Sequence, residues 1–409
     1  MRVRLFLAIV LSLLFISSSG AQEWPRFRGR NGGGVSGTTI PTRWTDKDYR
    51  WQTQLPGPGH SSPVLWGERL FVTSADAAGK LHAQCLDAKS GRVLWNREFA
   101  AGPPRGHKDN NLASATPAVD AERVYLAWGT PKEVVLLALT HEGKEVWRRD
   151  FGPYRAGHGF GSSPIVYEKL VIFPCEQDGK DSLAAVDAAT GQERWRIARK
   201  SRNTYATPCI FQLPGRPAEL IAVSYEDGIT SHDPATGRPN WDVDAFDKRH
   251  VEGAIASPFV HGDLVVGTAS WLSVRYESIA IRPAGAKGKP ETAFKIDRDA
   301  PLVPTPVAKD DLLFLWNDRG VVSCCSAKTG ENYWRERVDG SFYASPIIAG
   351  QHVYCPSREG DMIVLSASKK FEQLGRIPLG EGTHATPALA DGRMFLRTLT
   401  RVMCLDGKN

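Results

Sequence analysis

The sequence predicts an all-β protein: an eight-bladed β-propeller of four-stranded blades, whose last blade is closed by an N-terminal strand. A Ser-Pro or Thr-Pro pair followed by an apolar run recurs eight times, at intervals of 40 to 54 residues. Five of these units also place a tryptophan four residues after a turn glycine. Repeats of this length are typical of propeller blades, in which each unit supplies one four-stranded sheet.

Composition supports this fold class. The chain of 409 residues contains 39 Gly, 27 Pro and 12 Trp but only 4 Met, which favours many short strands over long helices. The net charge of +6 is small and evenly spread, so we expect no nucleic-acid partner.

The first residues predict export. Arg2 and Arg4 precede an apolar run too short to span a bilayer, and small residues around Gly20 follow it, so residues 1–21 are interpreted as a signal peptide. No cysteine lies directly after the cleavage site, and no second long apolar stretch occurs. We therefore expect a periplasmic or secreted protein with no lipid anchor and no membrane span, in which 22–43 is an N-terminal extension and 44–409 is the propeller.

Each unit divides into strands A to D. In the first unit they are expected at 62–65, 69–73, 81–86 and 93–99, and a tight turn ending in glycine joins C to D because glycine tolerates positive φ. The tryptophan that follows is interpreted as a residue that packs blade against blade. Phe294 and Leu374 are expected to replace it in units five and seven.

The last unit predicts how the ring closes. It has room for strands at 393–398 and 401–405, but the chain stops at Asn409 before a fourth strand. The segment 49–55 precedes the first unit and carries Trp51 where strand D requires a tryptophan. Pairing it into the last blade removes the open sheet edge.

The repeat resembles a known family. Residues 185–195, Ala-Val-Asp-Ala-Ala-Thr-Gly-Gln-Glu-Arg-Trp, resemble the pyrroloquinoline quinone (PQQ) repeat of quinoprotein dehydrogenases and BamB-like propellers, and the resemblance runs from Trp44 to the C-terminus. Residues 24–36 and 158–164 look like those of exported PQQ-like propellers. This resemblance implies the fold, whereas both enzymes and non-enzymes share the repeat.

Propeller geometry assigns loops to faces. The D–A and B–C loops emerge on one face, termed here the funnel face, which holds the ligand in related propellers. The B–C loops there carry polar residues such as Arg358, and other rim residues such as Tyr205 and Tyr343 precede the Ser/Thr-Pro pairs. The candidate cofactor-binding residues on this face are His60, His158, Arg202, Asn203, His250, Glu252 and His384.

Two functions remain open. The first is a non-catalytic scaffold of the cell envelope that binds a protein, a glycan or a small ligand on the funnel face. The alternative is a PQQ-dependent oxidoreductase for an alcohol or sugar, in which Arg202 would bind PQQ carboxylates and Glu252 a Ca²⁺ ion. The adjacent Cys324 and Cys325 lie in a predicted strand C, so we expect separate buried thiols and no ring disulfide.

Overall fold

The structure is a computed structural model that describes residues 23–102, 107, 109–177, 181–200, 204–246, 253–271, 275–284 and 288–407. Two strands precede the first blade, β1 (Val35–Ser36) and β2 (Tyr49–Gln54). Each follows a 3-10 turn, at Arg30–Gly32 and Asp46–Asp48 respectively.

Eight sheets follow in chain order and form a ring of eight blades, which confirms the predicted fold. Blade one contains β3 (Val64–Trp66), β4 (Arg69–Ala75), β5 (Lys80–Asp87) and β6 (Val93–Ala100), and blade two contains β7 (Ala118–Val119), β8 (Arg123–Gly129), β9 (Val134–Thr140) and β10 (Glu145–Asp150). Blade three contains β11 (Ile165–Tyr167), β12 (Leu170–Cys175), β13 (Ser182–Asp187) and β14 (Glu193–Ala198), and blade four contains β15 (Cys209–Phe211), β16 (Glu219–Ser224), β17 (Gly228–His232) and β18 (Pro239–Val243).

The second half of the ring repeats this arrangement. Blade five contains β19 (Phe259–His261), β20 (Leu264–Trp271), β21 (Arg275–Arg282) and β22 (Glu291–Ile296), and blade six contains β23 (Val307–Lys309), β24 (Leu312–Trp316), β25 (Val321–Ser326) and β26 (Asn332–Arg337). Blade seven contains β27 (Ile347–Ala349), β28 (His352–Pro356), β29 (Asp361–Ser366) and β30 (Gln373–Pro378), and blade eight contains β31 (Ala388–Ala390), β32 (Arg393–Arg397) and β33 (Arg401–Asp406).

Burial follows strand position. Strand C of blade two, β9, is buried at every residue but its last, because neighbouring blades cover both of its faces. The outermost strand of blade three, β14, alternates instead, with Trp195 buried between exposed neighbours. The core therefore lies between blades, where the middle strands of adjacent sheets meet.

The N-terminal strand closes the ring as predicted. Strand β2 pairs antiparallel with β33 and supplies the fourth strand of blade eight, with Trp51 opposite Cys404. Within single blades, Trp95 lies opposite Cys85 in the same way. Segments from both ends of the chain therefore share one sheet, and β33 is paired on both of its sides.

The repeated tryptophans join one blade to the next. Trp51 Nε1 donates to the carbonyl oxygen of Ala88 in blade one at 3.1 Å. A Cβ on Gly91, in the same turn, would lie 2.5 Å from the Trp51 ring. The turn glycine therefore meets two requirements, positive φ and room for the neighbouring ring. The same contact recurs at Trp95 with Gly143, Trp147 with Gly191, and Trp195 with Gly237.

Blade seven departs from the predicted pattern. Register places Gly375, and not Leu374, at the tryptophan position, because Val364 lies opposite Gly375 after the bulge. A Cβ on Gly375 would lie 2.2 Å from the carbonyl oxygen of Thr42. The N-terminal chain thus packs against blade seven at the position that a tryptophan occupies elsewhere, a contact that the local repeat does not reveal. Phe294 does hold the equivalent position in blade five, as predicted.

All seven cysteines are free and buried. Cys324 and Cys325 lie in β25, opposite Trp334 and Asn332 respectively, and are separate thiols as expected from their strand position. No described helix is long and apolar enough to cross a membrane. The predicted signal peptide lies outside the described residues and stays a prediction.

Candidate functional site

The Ser/Thr-Pro pairs that define the repeat form a ring of hydroxyl groups around the propeller axis. The backbone N–H of one ring residue donates to the hydroxyl oxygen of the ring residue in the next blade, at 2.9–3.0 Å, in seven of the eight steps. Each pair thus links two blades at their inner edge. This hydroxyl ring comprises Ser62, Thr116, Ser163, Thr207, Ser257, Thr305, Ser345 and Thr386.

A cavity of about 560 Å³ lies on the funnel face, and all eight residues of the hydroxyl ring line it. Phe27 also lines this cavity. Phe27 belongs to residues 24–36, termed here the axial segment. The backbone of this segment hydrogen-bonds to the innermost strands at Leu65 and Ile348. Each of these two residues follows a residue of the hydroxyl ring by three positions. The axial segment therefore lies deeper in the channel than the hydroxyl ring, and Phe27 forms part of the floor.

Imidazole and phenol rings stack in one wall of this cavity. The rings of His60 and His384 stack with centroids 4.3 Å apart and planes 15° apart. Tyr343 meets His384 edge to face at 4.9 Å. Tyr205 also lines the cavity, against Gly161. These faces are suited to contact with a flat or aromatic group.

An ion pair joins the loop that connects blades one and two to blade seven. Arg358, in the B–C loop of blade seven, donates from Nη2 to Asp109 Oδ1 at 2.6 Å. Its Nε donates to His384 Nε2 at 3.2 Å, and its Cζ lies 4.1 Å from the ring centroid of Tyr343. His384 also hydrogen-bonds to the backbone of Asp109. One arginine thereby holds Asp109, His384 and Tyr343 together at the cavity wall.

This wall is neutral apart from the ion pair. Burial lowers the pKa of His60 to about 3, with further contributions from His384 and the positive charge of Arg397. Burial also lowers the pKa of His384 to about 4, as does the charge of Arg358, while Asp109 opposes the change. Both imidazoles are therefore uncharged at neutral pH, and the bond from Arg358 identifies His384 Nε2 as an acceptor.

The structure brings three of the sequence-predicted residues to this cavity, since His60, His158 and His384 all line it. Arg202, Asn203, His250 and Glu252 lie outside the described residues. The lining residues that sequence analysis missed include Phe27, His107 and Asp109. His107 precedes Thr116 by nine positions, farther than any residue selected, whereas Asp109 precedes it by seven, as far as His250 precedes Ser257. No repeat signal marks Phe27.

A calcium-bound quinone fits the described part of the cavity poorly. Ca²⁺ takes six to eight oxygen ligands, usually with several carboxylates. The described cavity wall contains one carboxylate, Asp109, and Arg358 already binds it. No group of three or more His, Cys, Asp or Glu side chains suited to a metal occurs among the residues that the structure describes.

Fold and site together define the class: a PQQ-like repeat propeller of eight blades, with a cavity at the inner edge of its funnel face. Comparison with known proteins narrows this class. The chain belongs to the family described as outer membrane protein assembly factor BamB, whose model matches residues 36–140, 131–287 and 291–409. This match confirms the resemblance drawn from the repeats.

Similar proteins include both envelope factors and enzymes. The chain is 23% identical over 347 residues to the outer membrane protein assembly factor BamB of Burkholderia pseudomallei, which covers 82% of this chain and 81% of that protein. It is 26% identical over 178 residues to a polyvinylalcohol dehydrogenase of a Pseudomonas species, covering 40% of this chain. That match spans only 26% of the dehydrogenase.

A solved structure shares the fold. A europium-containing methanol dehydrogenase superposes with a TM-score of 0.67 at 12% identity, over 91% of this chain and 89% of that chain. At this identity the likeness concerns the fold, and propellers of one fold carry out different functions. The function of this chain therefore depends on the residues of its own cavity.

Proposed function

We propose that this protein is a non-catalytic binding propeller of the cell envelope, and that its funnel face binds a partner that places a flat or aromatic group in the cavity. The BamB family assignment supports the envelope scaffold, because the BamB relative aligns over four-fifths of both chains. The stacked rings of His60, His384 and Tyr343 support the kind of group bound.

The observation that carries this proposal is the bonding of the cavity's ionisable groups to one another. Arg358 is bound to Asp109 and His384, and the pKa of His60 and that of His384 lie far below neutral. A general acid or base works best when its pKa lies near the working pH. These side chains suit recognition better than proton transfer.

The alternative is the PQQ-dependent oxidoreductase. The partial match to a polyvinylalcohol dehydrogenase favours it, and PQQ would supply two-electron oxidation chemistry when bound. In this alternative Arg202 and Glu252 would bind the PQQ carboxylates and Ca²⁺, and His60 and His384 would contact the flat quinone through their ring faces. The described carboxylate and cation, Asp109 and Arg358, would first have to separate.

A cofactor titration distinguishes the two functions. The mature protein is mixed with PQQ at micromolar concentrations, with Ca²⁺ or a lanthanide ion, and its melting temperature is followed. Dye-linked oxidation of methanol, glucose and polyvinyl alcohol is then measured on the loaded protein. The binding proposal predicts no dye reduction above that of free PQQ.

Two matched variants locate any binding. Tyr343→Leu removes a ring from the cavity wall, whereas Thr236→Leu changes an exposed turn on the opposite face. A PQQ-induced melting shift that Tyr343→Leu abolishes, without dye reduction, supports a binding function with a quinone-like ligand. Substrate-dependent dye reduction by the wild type, lost in Tyr343→Leu and kept in Thr236→Leu, would establish the oxidoreductase and overturn the proposal.

A further inference from the structure

Two charged side chains of the axial segment are almost completely buried. Arg26 is 6% exposed and Arg28 is 1% exposed, on either side of Phe27. Phe27 lines the funnel cavity, while the two arginines reach the inner strands of different blades. The floor of the cavity therefore separates it from a region of the channel that contains two buried cations.

Each guanidinium group has fewer partners than it has donors. Arg26 Nη2 donates to the carbonyl oxygen of Pro208, and Arg28 Nη2 donates to that of Pro306, both at 2.7 Å. Arg28 also lies 5.9 Å from the ring centroid of Phe259. Arg26 Nε and both Arg28 Nε and Nη1 are buried without a hydrogen-bond partner among the described residues. A guanidinium carries five N–H donors, so these groups are under-bonded.

No described carboxylate offsets these charges. Neither arginine forms an ion pair with an Asp or Glu within the described ranges, and the neighbouring ionisable groups are the thiols of Cys209 and, for Arg28, Cys355. Burial raises the pKa of Cys209 to about 12 and that of Cys355 well above its ordinary value, so both thiols are neutral at pH 7. They supply no negative charge.

The two cations also repel each other. Burial lowers the pKa of Arg26 to about 10 and that of Arg28 to about 9, and the charge of Arg26 contributes to the second shift. Both groups remain protonated at neutral pH. Buried charges in proteins are normally paired, because an unpaired charge in a low-dielectric interior is strongly unfavourable.

The backbone of the axial segment packs directly against both arginines. A Cβ on Gly34 would lie 2.7 Å from Arg28 Nη2, and a Cβ on Gly32 would lie 3.4 Å from Arg26 Nη2. Both glycines belong to the axial segment and have positive φ, at 70°. At these two positions main chain, and no side chain, therefore lies against the guanidinium groups.

We propose that Arg26 and Arg28 bind a small inorganic anion of the chloride class within the axial channel, beneath Phe27. Three unpartnered donor nitrogens on two buried cations are the chemistry that recognises such an ion. The near-complete burial of Arg28 selects a small ion over an organic carboxylate. The site is distinct from the funnel cavity and does not depend on the function proposed for it. Its role is to stabilise the axial segment inside the ring.

Thermal unfolding in two salts tests this site. The wild-type protein is unfolded, refolded and melted in NaCl or in sodium gluconate at one ionic strength. Because an ion that binds only the folded state stabilises it by mass action, the melting temperature should rise with chloride and then saturate. Equal melting temperatures at all chloride fractions would contradict the proposal.

Two variants separate this effect from general salt effects. Arg28→Met should remove the chloride dependence. Arg397→Met is the matched control, since Arg397 is similarly buried, but its Nε and Nη1 are hydrogen-bonded and only its Nη2 lacks a partner, whereas Arg28 has two such nitrogens. The control should lower the melting temperature and keep the chloride dependence. A chloride dependence that survives in Arg28→Met would assign it to another site and overturn the proposal.

A direct measurement on the wild type holds even if Arg28→Met does not fold. Crystals grown in NaBr should show an anomalous peak within contact distance of Arg28 and Arg26. Density for water alone at that position, without anomalous signal, would show that solvent satisfies the two groups and that no anion binds.

Discussion

Gly91→Ala tests the contact that joins the N-terminal strand to blade one. Gly91 has φ +72°, and an added Cβ would lie 2.5 Å from the Trp51 ring and 2.7 Å from Thr53 Oγ1. A left-handed backbone costs a non-glycine residue about 1–2 kcal/mol. Overpacking in a close-packed contact costs about 1–3 kcal/mol more. The free energy of unfolding should therefore fall by about 2–5 kcal/mol.

The matched control is Gly67→Ala. Gly67 also has positive φ, at +55°, but an added Cβ would meet no atom within 4 Å. Only the backbone cost of about 1–2 kcal/mol applies there. Urea unfolding followed by tryptophan fluorescence measures both variants against the wild type.

A double-mutant cycle isolates the packing contribution. In a Trp51→Ala background the ring that Gly91 contacts is gone and only the contact with Thr53 Oγ1 remains, so Gly91→Ala should cost less than it does in the wild type. Two results would refute the reasoning: equal destabilisation by Gly91→Ala and Gly67→Ala in the wild type, or an undiminished cost of Gly91→Ala when Trp51 is absent.

Three further predictions concern closure, thiols and protonation. Deleting residues 44–55 removes strand β2 and the buried Trp51. Loss of such a tryptophan alone costs about 3–5 kcal/mol, so the melting temperature should fall strongly. A deletion variant that melts within a few degrees of the wild type would disprove the closure. Alkylation followed by mass spectrometry should show the Cys324–Cys325 pair as two thiols, slow to react in the native state because burial raises the pKa of both, whereas a linked pair would contradict this. Imidazole NMR should find a higher pKa for His384 in Arg358→Gln and a lower pKa in Asp109→Asn. The reason is that the arginine charge lowers the pKa of His384 and the carboxylate raises it. Shifts of equal sign in the two variants would exclude the contact of His384 with both groups.

Repetition made the propeller predictable from the sequence. A tryptophan four residues after a turn glycine, and a Ser/Thr-Pro pair at the start of each unit, are local patterns that recur because every blade meets the same neighbours. Trp51 was predicted to belong to that series, although the other three strands of its blade come from the C-terminal end of the chain. The structure confirms this pairing.

Contacts made only once were not predictable in this way. Gly375 occupies the tryptophan position of blade seven because Thr42 packs there, and no repeat signal reports a contact between segments more than 300 residues apart. Arg26 and Arg28 belong to the predicted N-terminal extension, where no sequence pattern indicates burial, whereas the fold buries them in the channel. Single-sequence patterns record periodic burial and miss such non-repeating contacts.

The sequence predicted which face of the propeller carries the candidate site, and it predicted only some of the residues that line it. His60, His158 and His384 were chosen because they precede Ser/Thr-Pro pairs, and all three line the cavity. Asp109 was missed although it precedes its Ser/Thr-Pro pair by the same seven positions as His250, since no repeat signal distinguishes it from the other polar residues of its loop. Whether Arg202 and Glu252 take part stays a prediction, since both lie outside the described residues.

Site-specific photocrosslinking in the cell envelope tests the proposed binding face most directly. A photoreactive residue is placed at position 343, in the cavity wall, or at position 236, in an exposed turn of the opposite face. Conjugates are identified by mass spectrometry after irradiation. Binding on the funnel face predicts one defined conjugate from position 343 and none from position 236. A defined conjugate from position 236, with none from position 343, would contradict it.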